Sequence, residues 1–315
     1  MRELTFIKVA ESMGIPIYAE DGGFVSFFNS PYYSHMNFSA VDIYLGGKKF
    51  GEPAYSPAEG IVTLTRPFTP PNPKYFEGSS KDWITCIECS SNPTLWVRIL
   101  HLKPTVNVGD KIRVGDVLGN YLRTGHFDFW TGPHIHVEVR EPNNILRAKG
   151  AYPLKPVNNP SSVDLGLGAI NEENPIEPST IEEDYILAKP RLGLWRVGNF
   201  WGLGCRVGGS FGVLDGGIPH YGYGGVHLTS TEGLCEGSPV MVGELKVGVV
   251  DKVFLNAARF RCLPIQVSFG EQRMKGLSLY LNLNRQGKLK VVPYKPGRIG
   301  REHLPSRVEI WGVDI

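Results

Sequence analysis

Histidine suits both metal binding and proton transfer near neutral pH, and this chain of 315 residues contains 8 of them. His35, His101, His126, His134 and His136 all fall in its first half. His134 and His136 stand two apart in Gly132-Pro133-His134-Ile135-His136-Val137-Glu138-Val139, a run that alternates as a strand does. Residues two apart on a strand face the same side, about 6.5–7 Å from each other. The two imidazoles therefore project together and can share a site without both ligating one ion. One ligand plus one acid/base is a natural division.

A second element is Ser34-His35-Met36-Asn37-Phe38-Ser39-Ala40-Val41-Asp42-Ile43. Asp42 lies in an otherwise apolar, β-branched strand, where a carboxylate is costly to bury without a partner. A divalent metal is one such partner, and a turn amide is the other. The third element, Arg98-Ile99-Leu100-His101-Leu102-Lys103-Pro104, is a strand that ends in a histidine. Taken alone, that histidine reads as structural.

The elements that must position these side chains are strands. Phe24–Phe28, Val41–Leu45, Gly60–Leu64, Leu95–Leu100, Ile112–Leu118 and Ile135–Val139 all carry strand patterning. Gly109-Asp110 and Gly115-Asp116 frame a pair of tight turns. Arg66-Pro67-Phe68-Thr69-Pro70-Pro71-Asn72-Pro73 reads as a stiff loop too long for a hairpin. With Gly 38 and Pro 24, the composition favours many short strands over long helices.

In order along the chain come His35 and Asp42, then Ala54-Tyr55-Ser56-Pro57-Ala58-Glu59-Gly60-Ile61-Val62, Leu100-His101-Leu102, the Gly-Asp turns, and Thr131-Gly132-Pro133-His134-Ile135-His136-Val137-Glu138. This arrangement resembles the LytM/lysostaphin-like zinc metallopeptidases, the M23 family, over roughly residues 24–140. The resemblance implies that His35, Asp42 and His136 ligate one Zn²⁺, the three-ligand, one-open-position pattern of a catalytic zinc site. It implies that His101 and His134 are the catalytic outer pair, which deprotonate a water and stabilise the charged intermediate. The implied reaction is endopeptidase cleavage of a peptide, of the kind found in cell-wall polymers. Two features depart from the family pattern. Seven positions rather than four separate His35 from Asp42, which calls for an expanded turn at Met36–Ala40. The stretch ahead of Gly132, Gly125-His126-Phe127-Asp128-Phe129-Trp130-Thr131, is bulky and aromatic where the family is small; His126 and Asp128 there could be partners to the site residues, and a structural role is favoured. The alternative is a catalytically inactive LytM-like domain that binds or regulates a partner.

Charge divides the rest of the chain. Residues 1–150 are neutral, 151–189 carry −5 and 190–315 carry +7. The expected organisation is a zinc peptidase domain over 1–150, an acidic Pro-rich connector over 151–189 with one short helix near Ile181–Leu187, and a β-rich domain over 190–315. The fold class is all-β: an antiparallel sheet of the LytM/lysostaphin-like, barrel-sandwich hybrid type, its site in an open groove flanked by loop 66–82, plus the second β-rich domain. Glycines across 202–225 open no phosphate-binding helix and are read as tight turns. Cys86 and Cys89 have metal-ligand spacing but no second pair, so they are read as strand or turn residues. His220, His227 and His303 are read as structural or surface residues. Lys252 is a weak match to the modified lysine of a carrier domain. Arg285, Lys288, Lys290, Lys295, Arg298 and Arg301 form a basic cluster that is solvated by default and could contact an anionic polymer.

No apolar run approaches the ~20 residues of a membrane span, and the neutral first domain gives no reason to expect nucleic acid. Lys8 and Glu11 interrupt the apolar stretch a secretion signal needs. The expected location is the cytoplasm, with any action outside the cell following release. Five cysteines, an odd number, read as reduced thiols.

Overall fold

β-Branched and aromatic residues in short runs, broken by glycine and proline, set the strands. The computed structural model describes residues 4–157, 163–165, 176–190, 194–285, 287–297, 299 and 308–313. These residues are nearly all β, with one α-helical turn and one 3₁₀ turn. No helix among them is long and apolar enough to cross a membrane. Two compact units divide the chain: Met1–Val25 with Tyr32–Val157, and Ser26–Pro31 with Asn158–Ile315.

The first unit contains, in order, β1 (Phe6–Ser12), β2 (Ile15–Glu20), β3 (Phe24–Ser26, ending in the second unit), α1 (Tyr33–Met36), β4 (Val41–Tyr44), β5 (Pro53–Tyr55), β6 (Gly60–Phe68) and β7 (Asp82–Cys89). There follow β8 (Trp96–Leu100), β9 (Leu102–Pro104), β10 (Lys111–Ile112), β11 (Val117–Tyr121), β12 (Ile135–Arg140) and β13 (Lys155–Pro156). Its main sheet is antiparallel, in the order β10-β6-β7-β8-β12-β4. Smaller antiparallel sheets join β13, β1 and β2, and β5, β11 and β9.

Three sequence expectations change here. The run Ile112–Leu118 is broken by a turn in which the Arg113 amide donates to the Asp116 carboxylate at 2.7 Å. Gly115 takes φ +87° in that turn. The segment from Arg66 is not a loop at its start: β6 runs on through Pro67 to Phe68 and forms a hairpin with β7, Pro67 lying opposite Trp83. Proline is tolerated because β10 covers β6 only at Gly60 and Ile61, leaving Pro67 on a free edge. β7 itself was not anticipated. Its burial follows no alternation, since central residues on both faces are enclosed, and a strand covered on both sides loses its period-two signature.

In the second unit, strands Phe200–Val207, Ser210–Ile218, Tyr223–Leu228 and Ala257–Cys262 pair antiparallel in that order. Leu214, Val226, Phe260, Leu277 and Val291 belong to its core. The helix expected near Ile181–Leu187 is a hairpin turn between strands Ile176–Ile181 and Ile186–Pro190, closed by the Glu182 amide on the Tyr185 carbonyl at 2.9 Å. Most glycines of 202–225 are inside strands rather than at turns. A Cβ at Gly225 would lie 1.9 Å from the Phe28 ring and one at Gly204 2.2 Å from Trp195, so these glycines make room for aromatic rings. Ser26 and Phe27 are held within this unit by Asp215, which accepts from Ser26 Oγ at 2.5 Å and the Phe27 amide at 2.6 Å. Lys252 pairs with Arg259 within a strand, short of the hairpin tip at Leu255 and Asn256.

Candidate metal centre

All six residues of β12 are buried, between β4 on one side and β8 on the other. Alternation sends Ile135, Val137 and Val139 to one face and His136, Glu138 and Arg140 to the opposite one. The apolar face contributes about 1.5–3 kcal/mol per fully buried side chain. The polar face is affordable only because each group meets a partner. Register places His136 directly across from Asp42 of β4.

His35 reaches the same place from α1. The Met36 and Asn37 amides donate to the Tyr32 and Tyr33 carbonyls at 3.1 Å, Phe38 turns through φ +54°, and the Ser39 amide returns to the Ser34 carbonyl at 2.8 Å. This helical turn and its left-handed exit absorb the long spacing between His35 and Asp42. His35, Asp42 and His136 are 1%, 3% and 7% exposed. His35 Nε2 lies 3.1 Å from His136 Nδ1 and 3.3 Å from Asp42 Oδ1, and His136 Nδ1 lies 2.9 Å from the same oxygen.

These residues fit a tetrahedral metal ion by donor chemistry and by spacing. Donors about 2.0–2.1 Å from one tetrahedral zinc are necessarily about 3.3 Å from one another, and the three separations here are 2.9, 3.1 and 3.3 Å. Two imidazole nitrogens and one carboxylate oxygen form the metal-capable cluster found among the described residues.

His101 and His134 lie beside that cluster, both buried, with ring centroids 5.4 Å apart. His101 follows the end of β8 with φ +72°, a conformation costing about 1–3 kcal/mol in a non-glycine residue unless its surroundings hold it. What holds it is Asp82, the first residue of β7, whose carboxylate accepts from the His101 amide at 3.1 Å and pairs with Nδ1 at 2.6 Å. Sequence reasoning missed Asp82 because it missed β7. His134 Nδ1 meets the Gly132 carbonyl at 3.0 Å, and its Nε2 is 3.6 Å from Asp42 Oδ2. Carboxylate and carbonyl oxygens accept only, so both outer rings carry hydrogen on Nδ1 and present Nε2 as an acceptor.

Charge follows from burial and partners. Burial pushes the Asp42 carboxyl up, but the imidazoles of His35 and His134 and hydrogen bonds from His136 and His35 hold it well below the usual range. Asp82 is likewise raised by burial and pulled below its ordinary value by His101. Burial drives the His134 imidazole down to about 4, against a weaker pull from Asp42. For His136, burial is overruled by bonds to Asp42 and Glu138, which lift it to about 9.

The remaining candidates are not among the three converging donors, although His126 lies against the His101 ring. His126 packs 5.6 Å from the His101 ring and 5.8 Å from Tyr32, and its Nε2 has no hydrogen-bond partner among the described residues. Asp128 closes a local turn through its carbonyl to the Thr131 amide at 3.0 Å. Cys86 and Cys89 are free and buried in β7, with thiols pushed up to about 12 by burial. His220 is half-buried and His227 fully buried in the second unit, His227 Nε2 3.4 Å from Asp215. The basic cluster is not one surface. Lys290 is buried, its Nζ 4.2 Å from the Tyr185 ring centroid, whereas Arg285 and Lys288 line a cleft of about 480 Å³ with Glu177 and Lys189. His303, Arg298 and Arg301 lie outside the described residues.

No curated protein matches the chain. Among solved structures it is similar to the catalytic domain of the prophage-encoded M23 protein EnpA from Enterococcus faecalis, at 20% identity over 36% of this chain and 72% of that one, with TM-score 0.23. It is also similar to pseudoalterin, described as an M23 metalloprotease from the deep sea, at 15% identity over 53% and 84% with TM-score 0.28. Lysostaphin gives 15% identity over 58% and 83% with TM-score 0.25. Scores this low carry no argument about chemistry. Residues 18–156 match the family model described as Domain of unknown function (DUF8155) N-terminal domain, and residues 186–302 match its C-terminal domain. With both domains matched in order along most of its length, the chain belongs to the DUF8155 family.

Proposed function

We propose that the protein is a zinc-dependent endopeptidase that cuts peptide bonds, with a cell-wall-type peptide as substrate. The observation that carries the reading is the meeting of His35 Nε2, His136 Nδ1 and Asp42 Oδ1 within 3.3 Å of one another, beside two further imidazoles. The substrate class rests on the resemblance of the segments from His35 to Glu138 to the M23 family.

His35, Asp42 and His136 would hold the ion. A zinc ion there supplies Lewis acidity toward a water and toward the carbonyl oxygen of the scissile bond. The protein's own groups move the protons. His101, fixed by Asp82, offers Nε2 to take a proton from the attacking water, and the Asp82 carboxylate stabilises the imidazolium that results. The same imidazolium then returns the proton to the departing amine. His134, held through Nδ1 by Gly132 and kept neutral by its burial, offers Nε2 as a second acceptor for a proton of the attacking water.

Zinc-loaded protein should cleave wall-derived or generic peptides with release of a new amine. Cleavage should stop on chelation and return with added zinc. Cleavage at full rate in the chelated protein would overturn the reading. Stoichiometric zinc without hydrolysis of any peptide would favour the inactive, partner-binding alternative.

A further inference from the structure

We infer that Glu138 is a positioning residue which decides the nitrogen that His136 presents to a metal, and that it acts from a buried frame shared with Arg98 and Arg140. The inference rests on the metal-centre reading above and names a determinant that lies outside the ligand set.

The geometry is confined to the first unit. Glu138 follows His136 by two residues on the same face of β12, so its carboxylate stands directly beside the imidazole. Oε1 meets His136 Nε2 at 3.0 Å. Oε2 is taken by Arg140 Nε at 2.5 Å and by Arg98 Nη2 at 2.6 Å, from the residue opposite Glu138 on β8. One oxygen thus orients the ring and the other anchors the carboxylate. Because Oε1 only accepts, Nε2 keeps a hydrogen for Glu138, and Nδ1, which hydrogen-bonds Asp42 in the metal-free chain, is the nitrogen turned toward Asp42 and His35 and free to meet a metal in place of its own hydrogen. A partner of this kind fixes both the tautomer and the ring orientation of a metal-ligating histidine.

The frame extends past the strand. Arg98 Nη1 donates to the carbonyls of Ile145 at 2.8 Å and Arg147 at 3.1 Å. Arg140 donates to the carbonyls of Asn144 at 3.0 Å, Lys149 at 2.9 Å and Ala148 at 3.2 Å. Residues 144–149 are therefore tied to the same two guanidinium groups that hold Glu138. Arg140, Glu138 and Arg98 are 0%, 1% and 6% exposed, so no solvent replaces a lost partner.

The test compares zinc affinity of the full chain and Glu138→Gln by competition with a chromophoric chelator. Circular dichroism and unfolding of the metal-free proteins accompany it. The expected result is a folded variant that binds zinc about 10–100-fold more weakly, the usual effect of removing such a partner. Because the variant strands two buried guanidinium groups, loss of fold would mimic that effect. Nitrogen NMR of zinc-loaded wild-type protein therefore reads the tautomer directly. Metal at Nδ1 of His136 with a slowly exchanging hydrogen on Nε2 supports the inference. Metal at Nε2, or a folded variant within twofold of wild-type affinity, overturns it while leaving the metal centre standing. Wild-type protein that takes up no zinc overturns both.

Discussion

Asp82 meets His101 with both carboxylate oxygens, Oδ1 accepting from the amide and Oδ2 pairing with the imidazole, while the Trp83 amide at 2.8 Å and the Thr124 hydroxyl at 3.4 Å complete its hydrogen bonding. A carboxylate placed this way, fully buried against the ring, selects the tautomer and stabilises the charged imidazole. Asp82→Asn should leave zinc content unchanged and lower kcat by about 10²–10⁴-fold, the range for a working general acid or base. His101→Ala should fall by a similar factor, and the double variant should fall no further, because the two act as one unit. Steady-state kinetics on zinc-saturated protein checks this; Asp82→Asn with wild-type kcat would detach Asp82 from the chemistry.

β12 and its neighbours show what in the sequence was legible and what was not. The shared face of His134 and His136 and the cost of burying Asp42 could be read from strand periodicity and charge, because those rules hold residue by residue. The closure of His35 onto Asp42 depends on a helical turn leaving through Phe38, which no periodicity announces. Asp82 and β7 were illegible because a strand enclosed on both faces does not alternate, and nothing in the sequence singled out Glu138 and Arg140, whose burial depends on partners from β8 and residues 144–149. The short helix expected near Ile181–Leu187 is instead a hairpin turn, because the two flanking runs pair with each other as strands. One position in these strands is unforgiving: Gly60, at φ +156°, leaves a Cβ only 1.9 Å from the Glu88 carbonyl oxygen of β7. Gly60→Ala should destabilise the first unit by about 3 kcal/mol through strain and lost pairing. Chemical denaturation measures it, and an unchanged midpoint would mean the β6–β7 hairpin yields easily there.

Taken whole, the chain carries its all-β architecture and two-unit division independently of the metal reading, and its stability has its own pH dependence. Lys290 is buried in the second unit near Tyr185 and Tyr280, and burial lowers its ammonium to about 7 from 10.5, against a weaker pull from Glu182. Between those values the unfolded chain binds more protons than the folded one, so this group makes stability rise with pH across that window. Lys290→Met should therefore be more stable than wild type near pH 7, with the advantage shrinking toward pH 10. Urea unfolding at both pH values checks it, and a gap independent of pH would show that the ammonium is not desolvated as described.

Zinc should also stabilise the folded chain, by about 2.7 kcal/mol at a free concentration one hundred times Kd. The most direct test of the central claim is metal analysis of the full-length chain alongside single alanine variants at His35, Asp42, His136, His101 and His134. The account predicts one zinc per chain in wild type and in the His101 and His134 variants, with uptake abolished or greatly weakened at the other three positions. Wild-type protein that binds no zinc, or variants at Asp42 and His136 that bind it as tightly as wild type, would contradict it.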